Sequence, residues 1–246
     1  QTMMITAGAF ALAALPTLLI LRERKRRHAA AGSILAVAFS RLRQSLASSR
    51  GFVDLRRFLV CIACYQAGVA TVITIAAIFT TQALGFSQEE SIVLILVVNV
   101  TAALGAFAFG FVQDRLGHRL TLAVTLIGWL VAIAAFFVSE ARWAIWLAAN
   151  IAGLCLGASQ SAGRALVGYL CPPEREGEIF GLWGLSVRVA MILGPISYGL
   201  ISWFSDGNHR AALLATAVLF VIGLLLLARV DVERGHRIAR AVERVR

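Results

Sequence analysis

Arg188 is the residue whose position most demands a chemical explanation. It stands deep in the apolar run Ile179 to Phe204, within GLWGLSVRVAMILGP. An arginine at mid-membrane costs roughly 2.5 to 3.5 kcal/mol even on the lenient insertion scale, so it calls for water, a counter-charge or a bound anion. No acid lies inside any apolar run, so the partner is a group from outside these runs, a solute carboxylate or phosphate, or backbone carbonyls. Gly194 and Pro195 follow in the same run. Pro195 removes a helix hydrogen bond there, which predicts a kink that frees such carbonyls and lets the helix bend.

Three further groups have types and spacing suited to a mechanism. In GFVQDRLGHRL, Gly110 permits close helix approach, Asp114 sits at a helix end and Gly117 allows a reversal. Arg115 and Arg119 of the same stretch can reach lipid phosphates or neighbouring helix ends. Glu174, Glu176 and Glu178 precede a helix start, with Arg164 and Arg175 in reach, and fit either a helix cap or a gate. Tyr65, Gln66, Asn99, Asn150 and Gln160 are polar groups inside apolar runs, suited to a solute pathway or to hydrogen bonds within a bundle. Gly153 and Gly157, beside Gln160, form a GxxxG pair of the helix-packing kind.

Enzyme and metal chemistry find no support. The acids avoid the apolar runs, and His28, His118, His209 and His236 are scattered among loops and tails. Cys61 and Cys64 form a CxxC inside an apolar helix, without the further ligands a zinc tetrahedron needs. No cofactor or metal is expected. Lys25, the only lysine, lies in a loop, which excludes a retinal Schiff base.

The elements that must position these groups are membrane helices. Of 246 residues 59% are hydrophobic and 15% charged, with the charges confined to short segments. Seven runs are long enough to cross a hydrocarbon core of roughly 30 Å: Thr2 to Leu21, Phe58 to Leu84, Ser91 to Val112, Leu120 to Ser139, Trp143 to Leu170, Ile179 to Phe204 and Ala211 to Ala228. Residues 22–57 form a basic linker in which Leu35, Phe39, Leu42 and Leu46 recur at helical spacing, as in a helix lying among lipid headgroups. Of the 23 Lys and Arg, only Arg142 and Arg210 fall at the connections opposite this linker, and Arg188 alone falls mid-span. That asymmetry puts the linker and residues 230–246 in the cytoplasm. The basic excess is topological and implies no nucleic-acid partner. RERKRR follows the first run instead of preceding it, so that run reads as a retained helix.

The GxxxDRxGxR pattern from Gly110 to Arg119 resembles the signature loop of the major facilitator superfamily of secondary transporters, which is thought to latch the two halves of the transporter together. A charged turn that only fixes topology fits the same residues. One run, a basic linker, six runs and a tail match a twelve-helix facilitator from its sixth helix onward. Gln160 to Arg164, PPEREGEIFG from Pro172 to Gly181, LGPISYG from Leu193 to Gly199 and VDVERGHRIA in the tail narrow the resemblance to the vacuole-effluxer-like branch, which includes autophagy-associated vacuolar amino-acid exporters and bacterial relatives. Ala67 stands where that branch commonly has an acid, and Arg188 where it commonly has Lys.

The expected fold is an all-α membrane protein of seven transmembrane helices. A preceding helix (1–21), the sixth of twelve, leads through the cytoplasmic linker (22–57) to the C-terminal six-helix half (58–229) and a cytoplasmic tail (230–246). The resemblance implies two inverted three-helix repeats, although Phe58 to Ser139 and Trp143 to Ala228 show no visible self-similarity. The expected function is secondary transport of a small solute, an amino acid or another carboxylate-bearing metabolite, with a missing N-terminal half and the lipid bilayer as partners, in a bacterial inner membrane. A non-transporting membrane receptor or scaffold is the alternative.

Overall fold

A computed structural model of the chain describes residues 2–20, 51–78, 85–139, 141–205 and 209–244, and every regular element among them is helical. In chain order these are α1 (Thr2–Ile20), α2 (Val53–Ile78), α3 (Gln88–Leu116), α4 (His118–Val138), α5 (Arg142–Leu170), α6 (Glu176–Phe204), α7 (His209–Ala228) and α8 (Val232–Arg244), with a 3-10 turn at Pro173–Arg175. The chain divides into two compact units, Gln1–Arg41 and Leu42–Arg246. The described part of the first is α1, whose 19 residues extend about 28 Å at helical rise. The interfacial helix expected around Leu35 and Leu46 lies outside the described residues.

In the second unit α2 to α7 are each long and apolar enough to cross a membrane. Their main neighbours run in the order α3, α5, α4, α7, α2, α6. Exchanging α2, α3 and α4 for α5, α6 and α7 reverses this order and leaves the packing pattern unchanged. The two triplets also run in opposite directions. The N-terminus of α2 and the C-terminus of α5 both meet α8, while the N-termini of α3 and α5 meet at the other end. This is an inverted repeat carried by packing, with no matching repetition in the residues.

Lipid tails are as apolar as leucine, so close backbone approach and van der Waals contact hold such a bundle. The α3–α5 seam shows how. A Cβ on Gly153 or Gly157 would strike the backbone of Val98 or Ala102, and one on Gly105 would strike that of Leu154. At the equivalent α2–α6 seam, a Cβ on Gly194 would strike the Ala67 carbonyl and lie 2.7 Å from Thr71 Oγ1. The sequence pattern pointed to a kink at Gly194 and Pro195. The structure adds that Gly194 is small because α2 presses on it, and α6 runs through Pro195 to Phe204. Trp129 of α4 stacks on Phe220 of α7 with ring centroids 5.3 Å apart, at the centre of the core.

Helix ends differ from the apolar runs in an informative way. α2 begins at Val53 instead of Phe58, so Asp54, Arg56 and Arg57 belong to its first turns and not to a linker. Asp54 there lies near the positive end of the helix dipole and, although 1% exposed, receives the Arg234 guanidinium at 2.6 and 2.7 Å. α3 runs on to Leu116, so Gly110, Asp114 and Arg115 are helical. The reversal into α4 is made by Gly117 alone, at φ 80°. The start of α3 is a capping box between Ser87 and Glu90. Residues 232–244 form α8, whose Gly235 fits against Leu170 and, at 3.2 Å from a built Cβ, Asp54.

Candidate functional site

α2 and α5, the first helices of the two repeats, bring three of the pathway candidates together. Gln66 Nε2 donates to Gln160 Oε1 at 3.1 Å and Gln160 Nε2 donates back to Gln66 Oε1 at 3.2 Å. Beside them the Tyr65 side chain is buried, and its hydroxyl has no hydrogen-bond partner. A Cβ on Gly163 would lie 2.5 Å from that hydroxyl, so Gly163 is what gives the tyrosine its room. An unbonded buried hydroxyl costs on the order of 1 to 3 kcal/mol, which marks this junction as polar at some expense.

Asn99 and Asn150 stand apart from that junction. Each spends its amide nitrogen on its own helix, Asn99 on the Ile95 carbonyl and Asn150 on that of Trp146, both at 2.8 Å. Asn99 also lines an apolar cavity of about 280 Å³ with Thr71, Trp129, Ala152 and Tyr198, in the half of the bundle away from α8.

Arg188 is exposed on α6 and makes no hydrogen bond or ion pair among the described residues. α6 buries Ala190, Gly194 and Tyr198 in its own bundle, Gly194 against α2, and at 100° per residue Arg188 falls on the opposite side. Gly181 and Gly184 share that side, and a Cβ on either would meet nothing within 4 Å.

The latch candidates divide in the same way. Gly110 makes no close approach among the described residues, since a Cβ there also meets open space. With Asp114, Phe107, Phe111 and Ser161 it lines a hollow of about 290 Å³ between α3 and α5. Arg119 is bound otherwise, donating to the Ala228 carbonyl at 2.8 Å, the C-terminal end of α7 where the dipole favours a cation. Arg115 is exposed.

The acidic loop does not gather around Arg164. Glu178 takes both arms of Arg175, at 2.6 and 2.8 Å, while Arg164 stacks over the Trp183 ring at 5.3 Å. Glu176 faces a separate hollow with His118, Tyr169 and His236. Glu174 lies in the short turn before α6.

Sequence reasoning missed several contacts that fasten the bundle ends. Arg142 bonds Glu90 at 2.6 Å and lies over Phe86 at 5.5 Å. At the other end Arg175, bonded to Glu178, lies over Phe52 at 5.7 Å. Glu90 and Glu178 both occupy first turns, of α3 and α6, so the two clasps follow the inverted repeat. His236 stacks on Tyr169 at 3.9 Å and bonds its carbonyl, and Tyr169 meets His118 at 4.8 Å, fixing α8 to α4 and α5. The acidic stretch FSQEE and Asp54, one of only two acids in the basic block 22–57, were the available signals.

Comparison with known proteins places this architecture. The chain is 25% identical over 240 residues to an uncharacterized MFS-type transporter, YxiO, of Bacillus subtilis, covering 96% of this chain and 54% of that protein. It is 26% identical to autophagy-related protein 22-1 of Aspergillus niger, covering 86% of this chain and 37% of that protein. The chain therefore spans about half or less of the length of these relatives. Its fold matches that of a bacterial homologue of the human lysosomal transporter Spinster, in an inward-facing, unoccupied conformation, with a TM-score of 0.61, 17% identity and coverage of 94% of this chain and 57% of that one. The model of the vacuole effluxer Atg22-like family matches residues 1–240, and the chain belongs to that family.

Proposed function

We propose that residues 53–228 form the C-terminal half of a secondary transporter that moves a carboxylate-bearing solute, such as an amino acid, by alternating access against a second six-helix half. The observation that carries this reading is Arg188: a cation near the middle of α6, turned away from its own bundle and unpaired among the described residues. In hydrocarbon it would be costly, whereas in a wet cavity between two halves it meets either a solute carboxylate or an acid of the other half. Gly181 and Gly184 on the same side leave α6 free to approach another helix closely.

Gly110 and Asp114 then serve as a latch, their hollow receiving a helix of the other half when one face is closed. Such contacts exchange as the halves rock. The end bearing α8 is cytoplasmic in this reading, because Arg56, Arg57, Arg115, Arg119, Arg229, Arg234, Arg237 and Arg240 collect there, with Arg142 at the other end. Solute exchange by vesicles containing the full-length protein tests the proposal. Saturable counterflow of an amino acid supports it, and a protein that folds and inserts yet exchanges no carboxylate-bearing solute points to the receptor or scaffold alternative.

A further inference from the structure

We propose that the groove between α4 and α7, below α8, is a binding site for a phospholipid with a zwitterionic, primary-amine headgroup, that is, phosphatidylethanolamine. The groove encloses about 550 Å³ and has an apolar floor that includes Leu120, Leu224 and Leu227. Its mouth, at the basic end of the bundle, carries one cation and one anion, Arg119 from α4 and Glu233 from α8. These two do not pair with each other. Arg119 commits one nitrogen to the Ala228 carbonyl, leaving its other N–H groups available, and Glu233 is exposed with no ion pair among the described residues. His118 at the same mouth is turned into the Tyr169 stack.

Two opposite charges that share a mouth without meeting, above a floor of leucines, match one ligand chemistry. The lipid phosphate takes charge-assisted bonds from Arg119, the ammonium faces Glu233, and an acyl chain lies along Leu120 and Leu224. A headgroup lacking the amine leaves Glu233 facing a phosphate, and a trimethylated one gives it no N–H donor. α4 and α7 occupy the middle of the neighbour order, away from the free edges α3 and α6. Lipid, and not a second half, therefore meets this groove. That last step rests on the transporter reading, but the site itself is tested without transport.

The test is native mass spectrometry of the full protein in detergent, offered equal amounts of dioleoyl phosphatidylethanolamine, phosphatidylcholine and phosphatidylglycerol. The expected result is severalfold preferential retention of phosphatidylethanolamine. Glu233→Gln should erase the preference over phosphatidylcholine, and Arg119→Ala should lose the adduct. Because Arg119 also caps α7, Leu120→Trp provides a second route: it fills the groove from an exposed position, leaves both charges in place, and should expel the lipid without altering the unfolding temperature. Equal retention of the three lipids, or an adduct that survives both Arg119→Ala and Leu120→Trp, overturns the proposal, whatever the transport assay gives.

Discussion

The carboxamides of Gln66 and Gln160 bond each other in both directions, at 3.1 and 3.2 Å, where α2 and α5 pass. A reciprocal pair uses one donor and one acceptor of each side chain, so removing either partner leaves the other with unmet polar atoms inside the bundle. Gln66→Leu and Gln160→Leu should each destabilise the protein, the pair replaced together should cost less than the sum, and the coupling should be roughly 0.6 to 1.7 kcal/mol as for other interhelical bonds in membranes. Reversible unfolding in bicelles gives the four energies. Strict additivity would show that the two amides act independently.

Closed and open glycines give a second, contrasting prediction. Gly157 lies against the Ala102 backbone, whereas a Cβ on Gly110 meets open space. Gly157→Val should cost several kcal/mol, beyond the roughly 1 to 3 kcal/mol typical of overpacking, because the obstacle is backbone and cannot rotate away. Gly110→Val should leave the unfolding temperature within error, because a Cβ there meets open space, and in the proposed latch, where that space receives another helix, it should slow solute exchange. A Gly110→Val protein that exchanges at the normal rate would remove the latch role.

Asp114 provides an independent check on that latch. Asp114→Asn keeps the shape of the hollow and removes the charge, so insertion and topology should be unchanged while exchange slows. Unaltered kinetics would favour a turn that only fixes orientation.

Tail attachment can be followed by hydrogen exchange. Asp54 holds Arg234 and accepts the Asp231 N–H at 3.1 Å, and Gly235 seats α8 on Leu170. In Asp54→Asn the amides of Val232–Arg244 should exchange faster, with those of the bundle core unaffected. Gly235→Val should have a similar effect and cost about 1 to 3 kcal/mol through overpacking. Protection of α8 equal to wild type in both variants would show that other contacts hold it.

Much of the architecture was legible because apolar runs of membrane length leave few options, and the spans from Trp143, Ile179 and Ala211 end within a few residues of α5, α6 and α7. What stayed hidden follows from physics that a one-dimensional reading lacks. Asp54 looks like a linker charge until Arg234, far along the chain, arrives to bond it. Gly194 beside Pro195 suggests a bend, and only the approach of α2 shows that its missing side chain is the point. The inverted repeat was invisible since it is kept by which helices touch, and the clasps at Arg142 and Arg175 preserve the arrangement with aromatic partners in different places. Of the candidate site, Tyr65, Gln66 and Gln160 were recognised by type and do meet. Their mutual bonding could not be inferred, as either amide could equally have faced a solute.

Arg188 tests the account most directly. In proteoliposomes containing the full-length protein, counterflow of labelled amino acids and other small carboxylates should be measured for wild type, Arg188→Ala and Arg188→Lys. The account predicts about tenfold or greater weakening of apparent solute affinity in Arg188→Ala, partial recovery in Arg188→Lys, and unchanged unfolding temperature in both. Arg188→Ala exchanging with wild-type affinity and rate would contradict it.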